Sequence, residues 1–262
     1  MRKRIPVHLK ASLLAAALLA APALGQAQIQ SPYRLPSPDP RNIAGAYQPQ
    51  TDTKLVTVDG SPLPLTPWAQ AIYDRRVAAA KDGEPEADAS TACLPHGTPR
   101  VLLGSFPIYI YQVDKSHSAA GADEVLFLHE IQHLVRHIYL NEQHPKDLDP
   151  SYLGHQVGRW EGDTLVIDTV GQNDLTWSDG AGIPHSNQVH VVERWKKISG
   201  GKQLEVLITL DDPVAFTKPW TAKRIFDWSP NVRQLEYVCE ENNRNSPDET
   251  GKTGTIGIDP PK

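Results

Sequence analysis

The segment VLFLHEIQHLVRHIYL, residues 125–140, decides the fold of this chain, because it fits either one amphipathic helix or two short strands. In an extended chain alternate side chains share a face, so Val125, Phe127 and His129 would lie together on one side. Both halves of the segment are rich in branched and aromatic residues, which favour strands. Only Asp123 precedes it as a possible helix cap. We therefore predict a β-hairpin and keep the helix as the alternative.

Residues 129–133, HEIQH, match the HExxH pattern of zinc-dependent hydrolases. In such an enzyme His129 and His133 would bind zinc, and Glu130 would activate a water molecule. This chemistry requires a helix, because residues i and i+4 of a strand are about 13 Å apart. The hairpin therefore implies no metal and no cofactor, and a zinc hydrolase is the alternative that follows from the helix.

Alternating patterns continue on both sides of this segment and predict about ten short strands. These strands are expected at residues 100–103, 107–113, 124–128, 134–140, 152–160, 164–170, 189–198, 203–210, 221–228 and 233–239. Residues 161–163, 199–202 and 229–231 are typical turn sequences between them. Parallel βαβ units would need helices that this region does not contain. The pattern favours an antiparallel barrel or sandwich, and we predict a mainly-β barrel of the calycin or lipocalin type.

One helix is predicted to precede the barrel. Thr66 and Pro67 are a suitable N-cap and first-turn proline, and residues 68–81 have helical spacing. Residues 26–66 are rich in proline and are predicted to form an extended arm. The barrel domain, with its helix, is expected at residues 67–244, and residues 245–262 are expected to form a flexible tail.

Residues 1–25 have the organisation of a signal peptide, with a basic start, a short apolar stretch and small residues near its end. The apolar stretch is shorter than the about 20 residues that span a bilayer. No later stretch is long and apolar enough, so we expect no membrane span. We predict a periplasmic or secreted protein. In that oxidising compartment Cys93 and Cys239 are predicted to form a disulfide.

The charge balance disfavours a nucleic-acid partner. The chain has 31 acidic and 26 basic residues, and losing the four basic residues of the signal peptide takes the formal net charge from −5 to −9. An acidic surface repels phosphate backbones. The expected partner is a small apolar or aromatic molecule, and the oligomeric state is not predicted.

Glu130, His133 and Arg136 are the first group of candidate catalytic residues. A carboxylate, an imidazole and a guanidinium close together can transfer protons on a carbonyl compound. Glu130, Gln132 and Arg136 are predicted on one inward face of the barrel, where charge is costly unless it is hydrated, paired or used. The structural alternative is a buried Glu130–Arg136 pair or an exposed strand face.

A second candidate group lies in the long loop at residues 171–187. Asp179 is predicted to orient His185 for proton transfer. Trp177 is predicted to stack on an aromatic ligand. Further ligand contacts are predicted on the strands at His155, Trp160 and His190. The structural alternative is an Ω-loop held by its own turns.

These residues predict an exported enzyme that uses acid–base chemistry, of the isomerase, hydratase or lyase type, on an apolar or aromatic compound. His133 or His185 would move the proton, and Arg136 would stabilise the developing negative charge. A non-catalytic protein that binds a hydrophobic ligand in the same barrel is one alternative. The HExxH zinc hydrolase is the other.

Several motifs resemble those of a large family of exported bacterial proteins, most of them described only as hypothetical. The motifs are CLPHGTPR (93–100), LGHQVGRWEGDTLVIDT (153–169), PHS (184–186), VVERW (191–195), DDP (211–213) and TKPW (217–220). The resemblance covers residues 93–244 and implies no settled activity. It implies that Glu130, His133 and Arg136 belong to the motif, whereas the family often has tyrosine at the position of His129. The turn in GRWEGD is similar to one in calycin-type barrels, which hold small apolar ligands.

Overall fold

The computed structural model describes residues 35–50, 53–83, 86, 89–115 and 121–239. The strands are β1 (Gly45–Pro49), β2 (Ile108–Val113), β3 (Glu124–His129), β4 (Val135–Leu140), β5 (His155–Glu161), β6 (Thr164–Val170), β7 (His190–Ile198), β8 (Gln203–Asp211) and β9 (Trp220–Trp228). They pair in chain order, and β9 pairs with β1 to close a barrel. Among these nine strands, β4 and β5 are the one pair that runs in parallel. The predicted mainly-β, antiparallel barrel is confirmed.

The segment at residues 125–140 is a strand, a tight turn and a second strand, so the helix alternative is wrong. β3 ends at His129, and Ile131–His133 forms one 3-10 turn before β4. Gln132 and His133 have φ values of 54° and 50°, which an α-helix does not allow. The backbone N–H of His129 donates to the carbonyl of Leu134, 2.8 Å away, and closes the hairpin.

This turn also changes which residues face inward. Phe127 pairs with Arg136, so an odd-numbered residue of β3 shares a face with an even-numbered residue of β4. Val125, Phe127 and His129 are buried from β3, and Arg136, Ile138 and Leu140 are buried from β4. The prediction that Glu130 and Gln132 share an inward face with Arg136 is therefore wrong, because a single alternation cannot run through a turn with two left-handed residues.

Large side chains fill the middle of the barrel. The rings of Phe127 and Phe226 both pack against Trp195, with centroids 5.0 and 5.2 Å from the Trp195 ring. All three residues are completely buried. Inward positions of β8, such as Val206 and Ile208, are also buried and continue this core. Alternate inward side chains thus form a packed core of the kind that small barrels have.

The predicted helix is confirmed as α1 (Pro67–Lys81). Thr66 caps it, since its side chain accepts from the N–H of Ala69, and Pro67 occupies the first turn. Ala69, Ile72 and Arg76 are its buried residues. The guanidinium of Arg76 donates to the carbonyl of Gly182, 2.8 Å away, and attaches the helix to the loop between β6 and β7.

Two predicted strands are absent. Residues 100–102 form a 3-10 turn, because Val101, Leu102 and Leu103 donate to carbonyls three or four residues earlier in the chain. Residues 233–239 pair with no strand among the described residues and are held by side chains instead, as described below. Conversely, Gly45–Pro49 lies within the predicted arm but forms barrel strand β1. Other described 3-10 turns are Ala89–Ala92 and Ser199–Gly201.

The predicted disulfide is confirmed. Cys93 and Cys239 are bonded, with their Cα atoms 5.6 Å apart, and join the segment before β2 to the segment after β9. Closing a loop of this length stabilises a fold by about 4–5 kcal/mol on the chain-entropy estimate. Such a bond fits an extracellular or periplasmic protein.

The predicted signal peptide at residues 1–25 and the predicted tail at 245–262 lie outside the described residues. So does the first part of the predicted arm, residues 26–34. Among the described residues, we find no helix that combines the length and the apolar character needed to cross a membrane.

Candidate functional site

Two of the predicted catalytic residues hold the C-terminal segment against the barrel. We call residues 232–239 the strap. The Glu130 carboxylate accepts from the N–H of Leu235 at 2.8 Å. The Nε2 atom of His133 accepts from the N–H of Tyr237 at 2.9 Å. Glu130 and His133 therefore provide hydrogen bonds to a segment that has no strand partner.

Neighbouring contacts complete the attachment of the strap. The amide of Gln234 donates to the carbonyl of His129 at 3.2 Å. The Tyr109 hydroxyl donates to the carbonyl of Val232 at 2.7 Å. The rings of Phe106 and Tyr237 meet edge to face, with centroids 5.3 Å apart. The HEIQH motif thus lies in a junction between the β3–β4 turn and the strap, with the disulfide at the end of the strap.

Arg136, the third residue of the predicted group, is inside the barrel and binds Glu193. Its guanidinium donates to both Glu193 oxygens, at 2.5 and 3.2 Å, and to the side-chain oxygen of Gln156 at 2.8 Å. Trp195 donates its indole N–H to Glu193 at 2.8 Å. Arg136 and Glu193 are both completely buried. Sequence reasoning missed Glu193, although it is a charged residue at an inward position between Val191 and Trp195.

Asp179 organises its own loop and is not the partner of His185. One carboxylate oxygen accepts from the N–H groups of Ala181, Gly182 and Ile183, at 2.9 to 3.1 Å. The other accepts from the N–H of Leu55 at 3.0 Å. Burial raises the pKa of the Asp179 carboxyl, and these four backbone donors oppose that shift. The loop fits the structural alternative.

His185 is buried and already has a partner at each ring nitrogen. Its Nδ1 lies 3.0 Å from the carbonyl of Ser186, so Nδ1 carries the proton. Its Nε2 then accepts from the Thr176 hydroxyl at 2.9 Å. Burial lowers the pKa of His185, which keeps the ring neutral. In this arrangement no lone pair of the imidazole is left to receive a substrate proton.

The two predicted ligand-binding tryptophans have different surroundings. The Arg76 guanidinium lies 4.2 Å from the centre of the Trp177 ring, and that of Arg100 lies 5.6 Å away. Trp160 is on β5, with the Arg41 guanidinium 6.0 Å from its ring. Both rings thus contact guanidinium groups of the protein itself.

His155 and His190 come together on the outside of the barrel with two residues that were not predicted. We call His144, His155, Asp168 and His190 the outer histidine cluster. One oxygen of Asp168 lies 3.1 Å from Nε2 of His144 and 2.9 Å from Nε2 of His190. The Nδ1 atoms of His144 and His155 are 2.9 Å apart. His144 lies in the crossover between β4 and β5, so only the fold brings it here.

The outer histidine cluster contains imidazoles whose pKa values move in opposite directions. The hydrogen bond to Asp168 raises the pKa of His190. The same contact lowers the pKa of the Asp168 carboxyl. Burial, together with the neighbouring His144, lowers the pKa of His155. His190 thus holds its proton more strongly than His155 does.

A cavity of about 540 Å³ lies at one end of the barrel. We call this the loop end, where β1, β3 and β6 finish and β2, β4 and β7 begin. The cavity is lined by the apolar side chains Leu103, Phe106 and Ile131, by the polar side chains Thr53, His96, Arg100 and Ser105, and by Gly104 and Gly180. Apart from Ile131 and Gly180, none of the described lining residues lies in a strand, turn or loop that the sequence associated with a site.

His129 lies inside the barrel towards the same end. Its side chain is 1% exposed, and neither ring nitrogen has a hydrogen-bond partner among the described residues. Burial takes the pKa of His129 well below its usual value, and the nearby Arg136 and His96 add to this shift. The sequence assigned His129 only to the zinc alternative. Its inward position and lack of partners make it the most unusual polar residue of the core.

The zinc alternative finds no support in this geometry. His129 faces the core, while His133 binds the strap, so the two imidazoles do not face a common point. Across the described ranges, no three His, Cys, Asp or Glu side chains are placed to hold a metal ion. Comparison of the chain with models of protein families, with curated proteins and with solved structures finds no match.

Proposed function

We propose that this chain binds a small molecule, with an apolar body, in the cavity at the loop end of the barrel. The observation that carries this proposal is the cavity itself. Its volume of about 540 Å³ lies within the 300–1,000 Å³ typical of ligand sites. The middle of the barrel is filled by side chains, so the site lies at the barrel end and not along its axis.

The lining residues define the kind of molecule that fits. Leu103, Phe106 and Ile131 offer apolar surface, which favours an apolar or aromatic body. Arg100 and His96 bring a guanidinium and an imidazole to the same wall, which favours a polar, oxygen-bearing group on the ligand. Among the described residues that line the cavity, none is acidic. The proposed ligand therefore combines an aromatic or aliphatic body with an oxygen-bearing, acceptor group.

The structure around the cavity supports a pre-formed site. Phe106 contacts Tyr237 of the strap, which is held by His133 and the Cys93–Cys239 bond. Ile131 belongs to the tight β3–β4 turn. Side chains fixed in this way bind with a smaller loss of conformational entropy.

A fluorescent probe tests this proposal. We expect 1-anilinonaphthalene-8-sulfonate, an aromatic anion, to bind the folded protein saturably, with one site per chain. Ser105 is exposed at the cavity, so Ser105→Trp fills the site and reduces probe binding at least about tenfold. Asn231→Trp, at an exposed position outside the cavity lining, is the matched control and keeps the wild-type affinity. Absence of saturable binding, or equal loss in both variants, would overturn the proposal.

Acid–base chemistry on the bound molecule is a second candidate function. The favouring observation is the presence of two neighbouring histidines, His96 in the cavity wall and His129 behind it. A neutral imidazole in an apolar site is a suitable general base. This candidate does not use the catalytic residues predicted from the sequence. Those residues, which make contacts within the protein at separate places, are Glu130, His133, Arg136, Asp179 and His185.

The second candidate is tested with 2-tetralone, an apolar ketone with acidic C–H bonds. We expect the protein to accelerate its deuterium exchange in D₂O, followed by NMR. His96→Gln should slow the exchange, and His137→Gln, on the outside of the barrel, should not. Exchange that is equally fast with Ser105→Trp would exclude the cavity as the reaction site.

A further inference from the structure

A group of buried polar atoms without partners lies next to the cavity. Besides both ring nitrogens of His129, these atoms are the hydroxyls of Thr98 and Thr169 and the amide nitrogen of Gln172. Each of the four residues is at most 2% exposed. We call His129, Thr98, Thr169 and Gln172 the polar layer. Folded proteins leave few such atoms unpaired, so a concentration of them requires an explanation.

Contacts show that the members of the polar layer are neighbours. The N–H of Thr98 donates to the side-chain oxygen of Gln172 at 2.9 Å. A Cβ atom at Gly154 would lie 2.9 Å from Gln172 and 3.1 Å from Thr169, so those two side chains flank one point. Thr169 pairs across strands with Gln156. These relationships place Thr98, Gln172 and Thr169 next to one another.

His129 joins this group through Arg136. Gln156 accepts from the Arg136 guanidinium at 2.8 Å. Arg136 in turn lies close enough to His129 to affect its protonation, as does His96. His96 also lines the cavity, whereas no member of the polar layer does. His96 is therefore close both to the cavity and to His129 of the polar layer.

The donors and acceptors of the polar layer specify a ligand group. The Gln172 amide offers two N–H donors, each threonine hydroxyl offers one donor, and a neutral His129 offers one. The only atom restricted to accepting is the second ring nitrogen of His129. Arg136 adds positive charge nearby, although Glu193 is bound to it. An acceptor-only group with several lone pairs satisfies every donor of this set and leaves only that ring nitrogen without a partner, and a carboxylate has that property.

We propose that the polar layer is the inner part of the ligand site and binds a carboxylate of the ligand, which enters past the His96 side chain. This inference rests on the proposed function, because the cavity must hold the apolar body of the same molecule. The ligand class is therefore an aromatic or aliphatic carboxylic acid. The carboxylate accepts from Gln172, Thr98 and Thr169, and it gives His129 the hydrogen-bond partner that the protein alone does not provide.

The threonines allow a sharp test, because valine has the same shape without the hydroxyl. The probes are 2-naphthoate and 2-methylnaphthalene, which share an aromatic body and differ in the carboxylate. We expect calorimetry to show naphthoate binding to wild type more tightly than methylnaphthalene. Thr169→Val and Thr98→Val should each weaken naphthoate binding about tenfold and leave methylnaphthalene binding unchanged. Neither variant should lower the melting temperature, because neither hydroxyl has a partner in the free protein.

Thr209→Val is the matched control. Its hydroxyl bonds to that of Thr221, 2.8 Å away, on the outside of the barrel. We expect it to lower the melting temperature and to leave naphthoate binding unchanged. If Ser105→Trp abolishes naphthoate binding while both threonine variants bind it as wild type does, the cavity binds ligand but the carboxylate subsite is refuted. If wild type binds neither probe, the proposed function itself fails.

Discussion

Arg136 of β4 and Glu193 of β7 bind each other across the interior of the barrel through two hydrogen bonds of 2.5 and 3.2 Å, and both side chains are completely buried. Gln156 and Trp195 satisfy further hydrogen-bonding atoms of the pair. A buried pair of this kind connects strands that are distant in the sequence. It also gives Arg136 a structural partner in place of the predicted catalytic role.

Breaking this pair on one side should be more damaging than replacing both residues. Arg136→Met leaves the Glu193 charge buried without a partner, and we expect it to cost about 3–5 kcal/mol of unfolding free energy. Arg136→Met with Glu193→Leu should cost less than the single change, because no charge remains buried. Urea denaturation followed by circular dichroism measures both. A single variant as stable as the double variant would contradict this expectation.

Glu130 should act on the strap and not on a substrate. Glu130→Leu removes the acceptor of the Leu235 N–H, so we expect faster amide exchange at Leu235 and a loss of about 1 kcal/mol of stability. Glu236→Leu, at an exposed position of the same strap, is the control and should leave exchange at Leu235 unchanged. Hydrogen–deuterium exchange by NMR provides the measurement. Unchanged protection in the Glu130 variant would rule out this role.

The His190–Asp168 contact should stabilise the fold only within a limited pH range. The pKa of His190 is raised in the folded protein, so its contribution is complete below the ordinary value of 6.5 and is lost as pH rises through the raised value. The pKa of Asp168 is lowered, so its contribution is present above the ordinary value of 3.8 and is lost as pH falls through the lowered value.

We therefore expect His190→Gln to destabilise the protein more at about pH 5.5 than at about pH 8.5. Denaturant unfolding at both values tests this. His137→Gln is the comparison variant. His137 also lies on the outside of the barrel, but its imidazole contacts a different acid, Glu124. If His190→Gln lowered the unfolding free energy more at the higher pH, the proposed stabilisation by protonated His190 would be wrong.

The disulfide should support both the fold and the cavity. Cys93→Ser with Cys239→Ser removes a long-range link, and we expect it to cost about 2–5 kcal/mol of unfolding free energy. Because the strap then loosens, Phe106 loses its contact with Tyr237, and binding of the anilinonaphthalene probe should weaken. Thermal unfolding and the fluorescence titration give the two readouts. Wild-type affinity in the folded double variant would show that the cavity does not depend on the strap.

The sequence by itself determined eight of the nine described strands, the capped helix and the partner of each cysteine, because these depend on local alternation, on Thr66 and Pro67, and on having only two cysteines. It also indicated that HEIQH is not helical. The strand and helix signals are short-range, and a residue carries them regardless of its distant neighbours.

Only the tertiary structure decided what the polar residues do. Because of the left-handed turn at Gln132 and His133, Arg136 faces the barrel interior and Glu130 accepts a hydrogen bond from the strap. Closure of the barrel paired Arg136 with Glu193, and the β4–β5 crossover brought His144 to Asp168. Alternation specifies the face of a residue within one strand, but partners across strands depend on turn geometry and register, which one strand does not encode. The cavity and the polar layer beside it arise from that assembly.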